Sequence, residues 1–125
     1  MRLKNVLLAV DDLEKSITFY KGLFGLQILK EFEGNVILTE GLVLQDKKIW
    51  GQLIEREVSF YGNSAELYFV ENDLEGFQEK LDNCSFEINY AHKLKTHSWG
   101  QRVIRIYDPD GHMIEIGEPP EAWNK

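Results

Sequence analysis

The side chains best suited to chemistry lie in the second half of the chain: the carboxylates Glu66 and Glu115, the guanidinium of Arg105, and His97 beside Ser98-Trp99. Asp108-Pro109-Asp110-Gly111 reads as a type I turn in which Pro109 presets φ and Gly111 takes the left-handed bulge of a three-residue hairpin loop. Asp108 then pairs with His112, and counting back along the hairpin sets Arg105 directly across from Glu115. A guanidinium in that place holds the carboxylate ionised and occupies its oxygens, so an Arg105 to Glu115 contact is expected. His92, His97 and His112 are the only imidazoles. His112 lies three residues before Glu115 on one strand, so the two point to opposite faces and His112 reads as a hairpin residue. His97 falls in an expected loop, where it could contact a ligand or act as acid or base; the alternative is an exposed loop histidine without a role.

The elements that must position these groups show an internal repeat. Asp11-Asp12-Leu13-Glu14 recurs 61 residues on as Asn72-Asp73-Leu74-Glu75. Each copy follows a strand-like run, Leu3 to Val10 and Ala65 to Val70, and each opens a helix. Asp11 and Asn72 are expected to cap, with Glu14 and Glu75 reaching back to complete a capping box. Leu13, Ile17, Tyr20 and Phe24 make one apolar stripe, and Leu74, Phe77 and Leu81 another. Gly22 or Gly25 ends the first helix; Asn83 ends the second. Three strand-like runs follow each helix: Leu26 to Phe32, Val36 to Thr39 and Leu42 to Gln45, then Phe86 to Tyr90, Gln101 to Tyr107 and Met113 to Gly117. The chain therefore reads as tandem βαβββ modules of the α+β class, about residues 1–46 and 64–118 of a single domain 1–125, joined by a linker helix at about 47–57.

With 125 residues, 43% hydrophobic and 12% aromatic, the chain has the apolar mass for a packed core. A net charge of −7 without any Lys or Arg run excludes nucleic acid as a partner. No segment has the length of a membrane span or a signal-peptide core. The lone Cys84 cannot form an internal disulfide, which fits a reducing cytoplasm, and reads as a small core or edge residue. Trp50 and Trp99 fall outside the regular strands, where aromatics can wall a pocket or simply pack. Trp123, after Pro119-Pro120, is expected to anchor the tail or a partner subunit.

The stretch Trp99-Gly100-Gln101-Arg102-Val103-Ile104-Arg105-Ile106-Tyr107-Asp108-Pro109-Asp110-Gly111-His112-Met113-Ile114-Glu115-Ile116 resembles the closing signature of the vicinal oxygen chelate superfamily, the glyoxalase, bleomycin-resistance and extradiol-dioxygenase group. Val6 to Ser16, with Phe19-Tyr20 and Leu23-Phe24-Gly25, is similar to its opening. The resemblance implies a cupped eight-stranded mixed sheet with helices outside, a homodimer, and metal positions on the first and last strand of each half. Those positions fall on Asn5, Gln45, Glu66 and Glu115. Strand parity agrees, since Glu66 and Tyr68 share a face, as do Asn5 and Ala9, and Met113 and Glu115.

Catalytic members supply His and Glu at these places, whereas this chain offers two amides and two carboxylates. An all-oxygen set suits Mg or Mn, bound weakly if at all. Two functions follow. One is a divalent-metal-dependent lyase or isomerase of glyoxalase type, with Glu115 or Glu66 moving a proton. The other is a metal-independent protein that binds or sequesters a small molecule, with Trp50, Tyr68, His97, Trp99 and Arg105 lining its site and the acidic balance favouring a cationic ligand. Solvation of Glu66 and Glu115 in a wet cavity is the plain alternative.

Overall fold

The computed structural model describes residues 1–120; Trp123 lies outside them. The chain divides into two compact units, the first Met1–Phe60 and the second beginning at Tyr61. The first contains β1 (Val6–Val10), α1 (Leu13–Phe24), β2 (Ile28–Phe32), β3 (Asn35–Leu38), β4 (Leu42–Asp46) and α2 (Lys47–Ile54). The second contains β5 (Glu66–Val70), α3 (Leu74–Asn83), β6 (Asn89–Thr96), β7 (Arg102–Tyr107) and β8 (Met113–Gly117). The eight strands form two four-stranded mixed sheets, β1-β4-β3-β2 and β5-β8-β7-β6, so the βαβββ repeat extends to strand order. In each sheet the first strand runs parallel to the last and the other neighbours are antiparallel.

The helix starts differ from expectation by one residue. Asp12 and Asp73, not Asp11 and Asn72, are the caps: their carboxylates accept from Lys15 N (3.1 Å) and Gly76 N (3.0 Å). Their carbonyls also accept the first helical bonds, from Ser16 N and Phe77 N. Glu14 and Glu75 therefore sit too early in the first turn to close a capping box and favour the helix N-terminus by charge alone. Asp11 instead pairs with Lys47 at 3.5 Å. Asp12→Ala and Asp73→Ala are each expected to lower stability by about 1 kcal/mol in urea melts, with Asp11→Ala and Asn72→Ala near zero.

Gly25 ends α1 at φ 70°. The linker helix stops at Ile54, where Glu55 turns left-handed (φ 56°) and Arg56 N closes onto Gly51 O. The first strand starts at Val6, three residues later than expected, which leaves Asn5 ahead of the sheet.

Apolar burial follows the two periodicities. In the first unit α1 buries Ile17, Phe19, Tyr20 and Leu23, and β4, central in its sheet, buries Leu42, Val43, Leu44 and Gln45. In the second, Leu74 and Leu81 of α3 are buried, as are Ile104, Ile106, Ile114 and Ile116 of β7 and β8. Arg102 shares a face with Ile104 and Ile106 and clamps α3 to the sheet, binding Glu118 through Nε (2.8 Å) and Nη2 (2.9 Å) and Glu75 through Nη1. Both carboxyls are held below their ordinary range by this guanidinium.

The DPDG hairpin forms as expected. Asp108 N donates to His112 O (2.9 Å) and Gly111 N to Asp108 O (3.0 Å), with Gly111 at φ 86°. Cys84 is half-buried and donates weakly to Leu81 O and Phe86 O.

The strand expected at Phe86 to Tyr90 is instead β6, running to Thr96. Its outer residues are polar, with Lys93 and Lys95 on an edge strand, the pattern by which exposed edges avoid further pairing. β6 carries irregularities between Tyr90 and His92 and between His92 and Lys95. The first re-aims the side chains. Tyr90 lies toward α3, its hydroxyl bonded to Asp82 (2.7 Å) and Gln78 (2.8 Å), while His92 lies across from Arg105. Gln78 Oε1 also accepts from Leu94 N (2.9 Å), supporting the irregular strand from the helix side.

Candidate functional site

The face of the second sheet opposite Ile104, Ile106 and Arg102 carries a polar cluster. One residue from each strand forms a row across it: Tyr68 on β5, Glu115 on β8, Arg105 on β7 and His92 on β6, each paired with the next. Glu66 lies two residues before Tyr68 on the same face of β5. The loop after β6 adds His97, Trp99 and Gln101.

The expected Arg105 to Glu115 contact is present: Nη2 donates to Oε1 at 2.6 Å. Arg105 Nε also donates to Glu66 Oε1 at 3.3 Å. The second Glu115 oxygen accepts from Gln101 Nε2 (3.0 Å), and Gln101 Oε1 accepts from Trp99 Nε1 (3.0 Å). The Trp99 indole stacks on His97 at 4.4 Å, and His97 Nε2 lies 3.2 Å from Arg105 Nη1. Glu115, Gln101, Trp99, His97 and Arg105 therefore close a ring of contacts. Gln101 is buried, whereas Trp99 is 52% and Tyr68 44% exposed, which leaves aromatic surface beside the polar cluster.

Gly117 makes room for this arrangement. A Cβ there would lie 3.1 Å from the Tyr68 ring and hydroxyl and 3.3 Å from Gln101 Nε2. Gly117→Ala is expected to cost about 1–3 kcal/mol in urea unfolding, as other small-to-large changes in packed sites do.

The electrostatics correct one expectation. Glu115 titrates above the ordinary carboxylate range, because burial and then the neighbouring Glu66 carboxyl outweigh Arg105 and Gln101, which pull it down. A lone facing guanidinium would give the opposite sign; 5% exposure of Glu115 and a second acid decide it. A raised carboxyl contributes most to stability at low pH, and that contribution is lost as pH rises through its folded value. Glu66→Gln is expected to bring the Glu115 titration down and Arg105→Gln to push it further up, read from the carboxyl carbon by NMR. Burial, then Glu115, raises the Tyr68 phenol. His97 is lowered by partial burial and next by Arg105, so its imidazole favours the neutral form.

The four positions expected to hold a metal do not offer free donors of the right kind. Asn5 is exposed and precedes β1. Gln45 is buried on β4, and its amide oxygen accepts from Asn35 Nδ2 at 2.6 Å. In the second unit both Glu115 oxygens are engaged, and Glu66 shares Arg105. A dication on Glu115 would put two positive centres against one oxygen, so these residues do not fit a resident ion.

A separate group of possible ligands, Asp108, Asp110 and His112, lies within 4.8 Å. Asp108, however, accepts from the backbone of Asp110 (2.9 Å) and His112 (2.9 Å) and meets the His112 imidazole at 2.8 Å, bracing the hairpin. Trp50 is half-buried in α2 of the first unit. Sequence reasoning brought together Glu66, Tyr68, His97, Trp99, Arg105 and Glu115; it missed His92 and Gln101.

With this geometry in view, comparison with known proteins places the chain. The glyoxalase-like domain family matches residues 3–121. A lactoylglutathione lyase from Shigella flexneri is 30% identical over 134 aligned positions, covering 98% of this chain and 96% of that one. Among solved structures, a protein of unknown function from Agrobacterium tumefaciens is 30% identical with TM-score 0.80, covering 95% of this chain and 94% of its own. A glyoxalase-related enzyme from Fulvimarina pelagi shares the fold at TM-score 0.82 and 20% identity, covering 95% and 88%. The repeat, the two mixed sheets and the hairpin define a glyoxalase-type fold. The chain belongs to the glyoxalase-like domain family of the vicinal oxygen chelate superfamily. No helix among the described residues is long and apolar enough to cross a membrane.

Proposed function

We propose that this chain binds a small molecule against the polar face of its second sheet without a resident metal ion, Arg105 supplying the positive charge beside Glu115. The observation that carries this reading is the engagement of both Glu115 oxygens, by Arg105 and by Gln101. Exposed Trp99 and Tyr68 supply stacking surface, and the net charge of −7 favours a cationic ligand. Elemental analysis of protein purified without chelator tests it: less than stoichiometric Ni, Zn, Fe or Mn is expected, and a stoichiometric ion overturns it.

That outcome would favour a lyase or isomerase, the second reading, supported by the likeness to lactoylglutathione lyase. It is favoured also by the raised Glu115 carboxyl, which is suited to giving and taking a proton, with Glu66 beside it. In that reading Glu115 or Glu66 moves the proton. Under either reading we place the protein in the cytoplasm, which its lone Cys84 fits, and expect a homodimer, because each sheet ends in edge strands that association covers. Chromatography with light scattering is expected to give twice the chain mass; a monomer mass refutes the dimer.

A further inference from the structure

The helix-bearing side of the first sheet carries a half-open groove of about 450 Å³ between α1 and β2. Its α1 wall includes Glu14, Ile17, Lys21 and Gly22, spaced as one helical stripe, and its β2 wall is Ile28 and Glu31. Residues three apart face opposite ways in an even strand. The irregularity between Ile28 and Lys30 changes this: Ile28 pairs with Leu38 and Glu31 with Val36, two buried residues on one face. Pairing also sets direction. β3 opposes both of its neighbours and β4 runs with β1, so β2 runs with β1, while α1 returns from the end of β1 and opposes both. Glu31 therefore lies toward the Glu14 end of the groove and Ile28 toward the Lys21 end. None of Glu14, Lys21 and Glu31 has a side-chain ion pair or hydrogen bond among the described residues. Between the charged ends Ile17, only 6% exposed, and half-buried Ile28 make an apolar floor. Gly22 has no other account in the fold. Gly25 ends the helix, so Gly22 sits inside α1, where glycine is destabilising, and it leaves that part of the wall without a side chain.

We propose that this groove binds a linear aliphatic zwitterion, its ammonium group held by Glu14 and Glu31, its chain over Ile17 and Ile28 beside Gly22, and its carboxylate at Lys21. Lys21 follows Glu14 by seven residues, about 10 Å along the helix axis, which sets the scale for the separation of the two ligand charges. The volume falls within the range of about 300–1,000 Å³ common to small-molecule sites. The groove lies wholly in the first unit, so the proposal stands apart from the reading given for the second sheet.

Titration of the isotope-labelled full chain with ω-aminooctanoic acid, followed by NMR, tests it. Saturable shifts are expected in the amides of residues 14–22 and 28–31. Octanoic acid and octylamine each lack one charge and are expected to bind about tenfold more weakly or worse, the loss of one hydrogen bond to a charged group. Gly22→Leu places a side chain in the groove while improving helix propensity, so it is expected to keep the fold and lose about tenfold or more in affinity. Glu31→Gln, at an exposed position on an edge strand, is the second variant. It is expected to weaken ω-aminooctanoic acid and to leave octanoic acid unchanged. Shifts that do not saturate, that fall outside the two walls, or that are equal for the three compounds overturn the proposal. Unchanged affinity in folded Gly22→Leu or in Glu31→Gln overturns it as well.

Discussion

Arg105→Met is expected to destabilise the chain by about 2–4 kcal/mol near neutral pH, since removing one partner of a buried ion pair leaves the other charge uncompensated. Exposure keeps the figure below the fully buried limit: a quarter of the Arg105 side chain and 36% of Glu66 reach solvent, but only 6% of Glu115. The loss is expected to shrink on acidification, because Glu115 becomes neutral as pH falls through its raised value. Pairing Arg105→Met with Glu115→Leu is expected to restore much of the stability, since an apolar pair of similar volume is often no worse than a buried ion pair. Urea melts of the four species at two pH values give the coupling. A double variant as unstable as Arg105→Met alone would show that the cost lies outside the pair.

Gly111→Ala is expected to cost about 2–4 kcal/mol, the sum of a left-handed backbone and a steric conflict. Gly111 sits at φ 86°, and a Cβ would fall 2.5 Å from the Cγ and Cδ1 atoms of the Tyr61 ring. That ring packs on Tyr107 at 5.5 Å and is 55% exposed, so yielding to the added Cβ means giving up this contact. Gly25→Ala separates the two contributions, because Gly25 has φ 70° with nothing within 4 Å of an added Cβ. It is expected to lose only about 1–2 kcal/mol in the same melt. Equal losses at the two positions would remove the steric part of the argument.

The sequence shows most of what covalent periodicity controls. The Asp108-Pro109-Asp110-Gly111 loop fixes the hairpin register, and register fixes Arg105 opposite Glu115, so that pair could be counted without coordinates. The repeated Asp-Leu-Glu stretches located both helices, although the cap fell on the second acidic position, because it is the Asp12 and Asp73 carbonyls that begin the helical bonding. Glu115's protonation could not be read, since it depends on burial and on Glu66, 49 positions earlier in the sequence. His92 was hidden for another reason. Simple alternation puts it on the same side as Tyr90, and only the irregularity of β6 separates them. Gln101 was missed because a lone glutamine before a strand carries no spacing signal; its role lies in contacts to Trp99 and Glu115.

The irregular stretch of β6 has a genetic corollary. Whether the imidazole at position 92 meets the helix or the charged layer is set by a residue count, not by side-chain chemistry. Loss of a single codon at Ala91 would restore even alternation with His92 directly after Tyr90, which keeps the ring on the face away from α3 and across from Arg105. Loss of the extra residue therefore spares the cluster, whereas straightening the strand with all its residues kept would turn the ring to the α3 side.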